Sequence, residues 1–142
     1  MELSFIIIDD TELDHFIARK MIGNVSNAYK IKSFLDAPAA LQHITESPGD
    51  GTTKIILVFL DIYMPMMNGF EFIEEFEKLD QAIQDKYYIV ALTSSIEMSD
   101  INRVGSYQSF KARITKPITV DGLNSLLNKV TSEFGLTIPQ KI

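Results

Sequence analysis

Short apolar runs alternate along this chain with segments whose apolar residues recur every three or four positions. Phe5-Ile6-Ile7-Ile8 is a run rich in β-branched residues and predicts a strand buried on both faces. It stops abruptly at Asp9-Asp10. Leu13, Phe16, Ile17 and Met21 then fall at helical spacing, and Gly23-Asn24 marks the end of that helix. Tyr29 to Phe34 alternates more weakly and predicts a second, more exposed strand. Asp36 is placed to cap the next helix, with Pro38 in its first turn and Leu41 and Ile44 facing inward. Ser47-Pro48-Gly49-Asp50-Gly51 has the composition of a loop. Ile55 to Leu60 is a second strongly buried strand, and it too runs into an aspartate, Asp61.

Pro65 and Gly69 mark the following loop, and Phe72, Ile73, Phe76 and Leu79 set a third helix. Tyr87 to Leu92 predicts another buried strand, ending at Thr93-Ser94-Ser95. Ser94 and Glu97 have the spacing of a capping box, which places a helix start there. Lys111 to Thr115 is a short, weak strand leading into Lys116-Pro117. The last helix carries Leu123, Leu126, Leu127 and Val130. Periodicity fades after Ser132, so the domain is expected over residues 1–131, with a tail over 132–142.

Five strands alternating with five helices predict an α/β domain: a doubly wound parallel sheet with helices on both faces. Ligands of such sheets bind outside the carboxyl ends of the strands. Four of those ends carry Asp9-Asp10, Asp61, Thr93 and Lys116. Carboxylate oxygens suit Mg²⁺, and a carboxylate can attack phosphorus to form an acyl phosphate. Lys116, the metal ion and the Thr93 hydroxyl would then supply the charge and hydrogen bonds that phosphoryl oxygens need. Each residue alone has a plain explanation, because Asp caps helices and Lys before a proline is often a solvated charge. Their conjunction at four strand ends does not. Crowded carboxylates also destabilise a fold unless a cation compensates them.

Composition narrows the alternatives. The chain has 142 residues, 46% apolar and 23% charged, which suits one globular domain. A formal net charge of -6 argues against direct nucleic-acid binding, which needs clustered Lys and Arg. With no cysteine and two histidines, His15 and His43, thiolate and His-based zinc sites are excluded. Both histidines read as ordinary exposed helix residues. The Met64, Met66 and Met67 cluster is expected to pack, and Glu71, Glu74, Glu75 and Glu77 to form a solvated face. The amino terminus lacks the basic region of a secretory signal, and no apolar run approaches the roughly 20 residues that span a bilayer. A cytoplasmic protein with no membrane partner is expected.

The residues quoted at the strand ends carry a resemblance. Phe5 to Asp10, the stretch Leu60-Asp61-Ile62-Tyr63-Met64-Pro65-Met66-Met67-Asn68-Gly69, Ala91-Leu92-Thr93-Ser94 and Ile114-Thr115-Lys116-Pro117 resemble, in order and spacing, the receiver domains of two-component response regulators over residues 3–131. The resemblance implies a flavodoxin-like sheet in the order 2-1-3-4-5. It implies that Asp61 accepts a phosphoryl group from a phosphohistidine on a sensor histidine kinase or a histidine phosphotransfer protein. It implies Mg²⁺ bound by Asp10, Asp61 and the backbone carbonyl of Tyr63, with Asp9 acting mainly through a metal-bound water. Lys116 would contact the phosphoryl group, Thr93 would move to hydrogen-bond it, and a cis bond would precede Pro117. Tyr63 and Ser95 flank the site, and the resemblance implies that residues at these positions influence how fast the acyl phosphate hydrolyses.

One position departs from the family pattern: Arg113 stands where an aromatic switch residue is usual, with Tyr107 and Phe110 nearby. The departure bears on the shape change and leaves the phosphoacceptor set intact. Because the matched motifs use nearly the whole chain, a single-domain switch is expected, read by a partner at the helix after the fourth strand, the fifth strand and the last helix. It would catalyse only its own phosphorylation and dephosphorylation. A phosphorelay intermediate or phosphate sink is the alternative. An aspartyl-phosphate phosphatase of the haloacid dehalogenase type is remote, since it needs Asp-x-Asp after its first strand and Asp9 and Asp10 are adjacent. A dinucleotide-binding domain is excluded by the lack of a glycine-rich turn after the first strand.

Overall fold

Two aspartates end up side by side because the strands before them are paired in parallel. β1 (Leu3–Ile8) and β3 (Ile55–Asp61) run in register with Ile8 opposite Leu60, so both chains leave the sheet at the same edge. The structure, a computed structural model, describes residues 2–47, 53–94 and 97–137. The remaining strands are β2 (Ile31–Phe34), β4 (Tyr87–Thr93) and β5 (Phe110–Thr115). All pairs are parallel and the order is β2-β1-β3-β4-β5, as the resemblance implied. A bulge between Ile89 and Val90 shifts the β5 register, so Phe110 faces Ile89 and Ala112 faces Val90.

Strand alternation divides the core into two layers. Phe5 and Ile7 of β1 and Leu57 and Phe59 of β3 pack with α1 (Glu12–Val25) and α6 (Val120–Phe134), through Ala18, Ile22, Leu123 and Leu127. Ile6, Ile8, Val58 and Leu60 point the other way. They meet α2 (Ala37–Glu46), α3 (Gly69–Phe76) and α5 (Met98–Gly105), through Ala40, Ile44, Phe72, Phe76 and Val104. Burial on both faces explains why the central strands read as unbroken apolar runs.

Several local expectations change. Six helices, not five, occur among the described residues: a single turn, α4 (Gln81–Gln84), precedes β4. α1 does not stop at Gly23-Asn24 but runs to Val25, and the amide of Ser26 closes it on the Ile22 carbonyl. Its buried residues are His15, Ala18 and Ile22, while Leu13 and Phe16 are exposed. The large apolar side chains set the wrong helical frame, because the face against the sheet is occupied by a small residue and a histidine. His15 is therefore buried rather than exposed. Its Nε2–H lies 2.8 Å from the Asp9 carbonyl and 3.1 Å from the Phe34 carbonyl, tying α1 to the ends of β1 and β2.

α5 begins at Met98 with Glu97 at its N-cap and no side-chain cap, so the Ser94–Glu97 capping box is not formed; Ser95 lies outside the described residues. A capping box does form at α3, between Asn68 and Glu71. The acidic face of α3 is more than solvated charge. Glu74 accepts a hydrogen bond from the Tyr107 hydroxyl, and Glu77 accepts from the Ser109 amide and hydroxyl. The expected boundary at 131 falls inside α6, which ends at Phe134 where Gly135 adopts the left-handed conformation. Leu136 is buried beyond it. Asp36 caps α2 as expected, accepting from the Ala39 amide at 2.8 Å. Met64 is buried, whereas Met66 is exposed.

Gly69 joins the loop after Asp61 to α3, and space there is the constraint. A Cβ at Gly69 would sit 2.7 Å from the Ile62 Cα, with backbone on both sides of the clash. Gly69→Ala is expected to lower unfolding free energy by about 2 kcal/mol or more in urea titration, because the loop after Asp61 must shift. Gly105→Ala, where nothing lies within 4 Å, is expected to be neutral or to gain up to about 1 kcal/mol.

Candidate functional site: a carboxylate cluster at the sheet edge

Each chemical group is delivered by the end of a strand. Asp61 is the last residue of β3 and Asp9 follows β1; both are buried, at 6% and 0% exposure. Asp10 is exposed beside them. Carboxylate oxygens of Asp9, Asp10 and Asp61 all lie within 4.8 Å of one another. Thr93 is the last residue of β4 and is buried. The Lys116 amide donates to the Thr93 carbonyl at 2.8 Å, which fastens the residue after β5 to the end of β4. The Lys116–Pro117 bond is cis, as the resemblance implied.

The Lys116 ammonium reaches back across the cluster. Its Nζ lies 2.8 Å from Asp9 Oδ2 and 3.4 Å from Asp61 Oδ2. It also lies 2.7 Å from Asp14 Oδ2, a residue of the first turn of α1 that the strand-end reading missed. An acid in the first helical turn is ordinary, and its partner is 102 residues away in sequence. Setting the α1 frame by Ala18 and Ile22 would have turned Asp14 inward. The other Asp9 oxygen, Oδ1, accepts from the amide and hydroxyl of Thr11, both at 3.0 Å.

Burial and crowding set the charges. Burial pushes the Asp61 carboxyl up to about 6; the Tyr63 amide and Lys116 oppose the rise, and the charge of Asp9 adds to it. Burial also pulls on Lys116, but the hydrogen bonds that its ammonium donates to Asp14 and Asp9 and the charge of Asp61 outweigh it and hold its pKa above the ordinary lysine range. The ammonium therefore stays charged, and it leaves the three clustered carboxylates only partly compensated. Hard oxygen donors this close together fit a small divalent cation such as Mg²⁺.

The loop after Asp61 is tied to α5. The Tyr63 amide donates to Asp61 Oδ1 at 3.1 Å, and the exposed Tyr63 hydroxyl donates to Asp100. Arg113 is exposed on β5 and its guanidinium donates to the Thr115 hydroxyl at 3.2 Å. Tyr107 and Phe110 both pack against Phe70 of α3, with ring centroids 6.0 and 6.2 Å away. Both nearby aromatics are thus engaged with α3.

A family model described as "Response regulator receiver domain" matches residues 5–128. Among solved structures, a two-component response regulator from Cytophaga hutchinsonii is 27% identical, with a TM-score of 0.81, covering 92% of this chain and 97% of that one. A response regulator receiver protein from Dyadobacter fermentans is 24% identical, with a TM-score of 0.80, covering 95% and 99%. A chemotaxis protein from Vibrio cholerae is similar in fold, at 18% identity and a TM-score of 0.72, covering 92% and 99%. No curated protein sequence matches significantly.

A carboxyl whose pKa is higher in the folded than in the unfolded state stabilises the fold only when protonated. That stability is present below about 4 and is lost as pH rises through about 6. Asp61→Asn is therefore expected to raise the melting temperature in metal-free buffer at pH 7.5, by a free energy on the order of 2–3 kcal/mol. The gain should shrink through pH 6 and vanish near pH 4. Melts across that range in the presence of a chelator check it.

Proposed function

This chain belongs to the response regulator receiver domain family, and on that premise we propose that Asp61 accepts a phosphoryl group from a phosphohistidine of a sensor histidine kinase or histidine phosphotransfer protein. The observation that carries the reading is the meeting of Asp9, Asp10, Asp61, Thr93 and Lys116 at one sheet edge. An Asp61 carboxylate oxygen forms the new P–O bond as the P–N bond to the donor imidazole breaks, and the imidazole nitrogen leaves with the electron pair. Asp10, Asp61 and the Tyr63 carbonyl would hold Mg²⁺, with Asp9 acting through a water. Bound there, the ion would neutralise charge developing on the phosphoryl oxygens. Lys116 supplies a second positive charge from the side of β5, and the Thr93 hydroxyl supplies a hydrogen bond from β4.

The chain acts on its own aspartate and turns over no separate substrate. Phosphorylation exchanges the single charge of the Asp61 carboxylate for about two on the acyl phosphate, a net gain of about one negative charge in a cluster that is already acidic, and this drives the response. The hydrogen bond from Tyr63 to Asp100 offers a path from the phosphorylated loop to α5, and the face formed by α5, β5 and α6 is where a partner would read the change. No helix among the described residues is long and apolar enough to cross a membrane. Arg113 favours a second reading, a relay intermediate or phosphate sink, because it stands exposed where an inward-swinging aromatic is usual. Mixing with a phosphorylated phosphotransfer protein separates the two: rapid phosphoryl exchange in both directions marks the relay.

Acetyl phosphate with Mg²⁺ is expected to label the wild-type chain and to leave Asp61→Asn unlabelled; label that persists unchanged in the variant refutes the assignment. Leu13 and Phe16 stand exposed on α1, whose first turn adjoins the cluster, and give a protein donor an apolar footing. The double variant Leu13→Ala, Phe16→Ala is expected to slow transfer from a phosphohistidine protein by roughly tenfold or more, since lost apolar contacts weaken docking. Its labelling by acetyl phosphate should be unchanged.

A further inference from the structure

Lys116 and a bound cation would draw on the same carboxylates. Asp9 and Asp61 both face the ammonium, and both also belong to the cluster suited to Mg²⁺. Asp14 differs from them: it pairs with Lys116 at 2.7 Å and is not a member of that cluster. We propose that Asp14 is a positioning residue that keeps the Lys116 ammonium beside Asp61 while Mg²⁺ draws on Asp9 and Asp61. The inference rests on the phosphoacceptor reading for its purpose, but its physical content concerns metal and lysine alone.

An ammonium has three N–H donors, and here three carboxylates surround it. The contacts to Asp14 and Asp9 are short, and that to Asp61 is longer, at 3.4 Å. When a divalent ion claims Asp9 and Asp61, it repels the lysine and weakens two of its three contacts. A lysine without the Asp14 anchor would lean on Asp9 and Asp61 alone and so oppose the ion's entry. The Asp14 contact is little affected by that exchange, and it is not a bare surface pair: the side chains are 18% and 30% exposed. Burial raises the pKa of Asp14, but its hydrogen bonds with Lys116 and Thr11 outweigh this and hold it below the usual carboxylate range, so the anchor is ionised. The bland alternative is that Asp14 only favours the positive end of α1. Glu12 sits in the same first turn and supplies the control, because it is not among the carboxylates paired with Lys116.

The test is Mg²⁺ affinity, followed by amide NMR titration without any phosphoryl donor, in wild type, Asp14→Asn, Lys116→Met, the double variant and Glu12→Gln. Lys116→Met is expected to tighten Mg²⁺ binding by removing the competitor. Asp14→Asn is expected to weaken it roughly fivefold with Lys116 present, because the lysine then leans wholly on Asp9 and Asp61. In the Lys116→Met background the effect of Asp14→Asn should fall to that of Glu12→Gln. An equal loss in both backgrounds, or no loss with Lys116 present, overturns the proposal. Should Lys116→Met not fold, ¹⁵N-lysine NMR gives a second readout. The Lys116 ammonium of Mg²⁺-saturated wild type should exchange slowly with water, and that protection should vanish in Asp14→Asn; protection that survives overturns the proposal. Acetyl phosphate labelling of wild type separately reports whether Asp61 is the phosphoacceptor.

Discussion

Two buried carboxylates held against each other by a parallel sheet are the constraint on which this molecule turns. Asp9 and Asp61 cannot separate, because the register of β1 and β3 fixes their backbones and both strands are buried on each face. Their mutual repulsion in a site shielded from water raises the free energy of the folded state. Lys116 relieves part of it, and the cis Lys116–Pro117 segment and the Lys116–Thr93 backbone bond bring that ammonium to the edge. The residual negative charge suits the site to a divalent cation.

The rest of the fold holds this arrangement in place. The two-layer core lets α1 and α6 cover one face while α2, α3 and α5 cover the other. His15 fastens α1 to the ends of β1 and β2, so the helix that carries Asp14 is aligned with the strand that carries Asp9. Gly69 lets the loop after Asp61 turn tightly into α3, where the Asn68–Glu71 box caps it. These contacts use polar side chains for jobs that hydrophobic burial, which is non-directional, does not perform.

The side of the sheet that would report a change at Asp61 is laced with directional contacts. Tyr63 joins the Asp61 loop to α5 through Asp100, and Tyr107 and Ser109 join the segment before β5 to α3 through Glu74 and Glu77. The aromatic rings near Arg113 are packed on Phe70. The contacts between the site and this face run through the loop and helix ends, and Arg113 is exposed on β5.

What was legible from the sequence came from repeated, short-range signals. Continuous apolar runs marked β1, β3 and β4, and the aspartates, threonine and lysine that ended the strands marked the edge where chemistry gathers. Those strand-end residues identified the family, and with it the sheet order. The weaker signals misled where size and hydrophobicity compete with geometry: Leu13 and Phe16 suggested one face of α1, but the sheet accepts His15 and Ala18 there. By itself the sequence determined which residues could react, because that depends on side-chain chemistry at strand ends. Only the tertiary structure decided how their charges are shared. It placed Asp14, 102 residues from Lys116, within 2.7 Å of the ammonium, and no local periodicity encodes a contact made by folding two distant ends of the chain together.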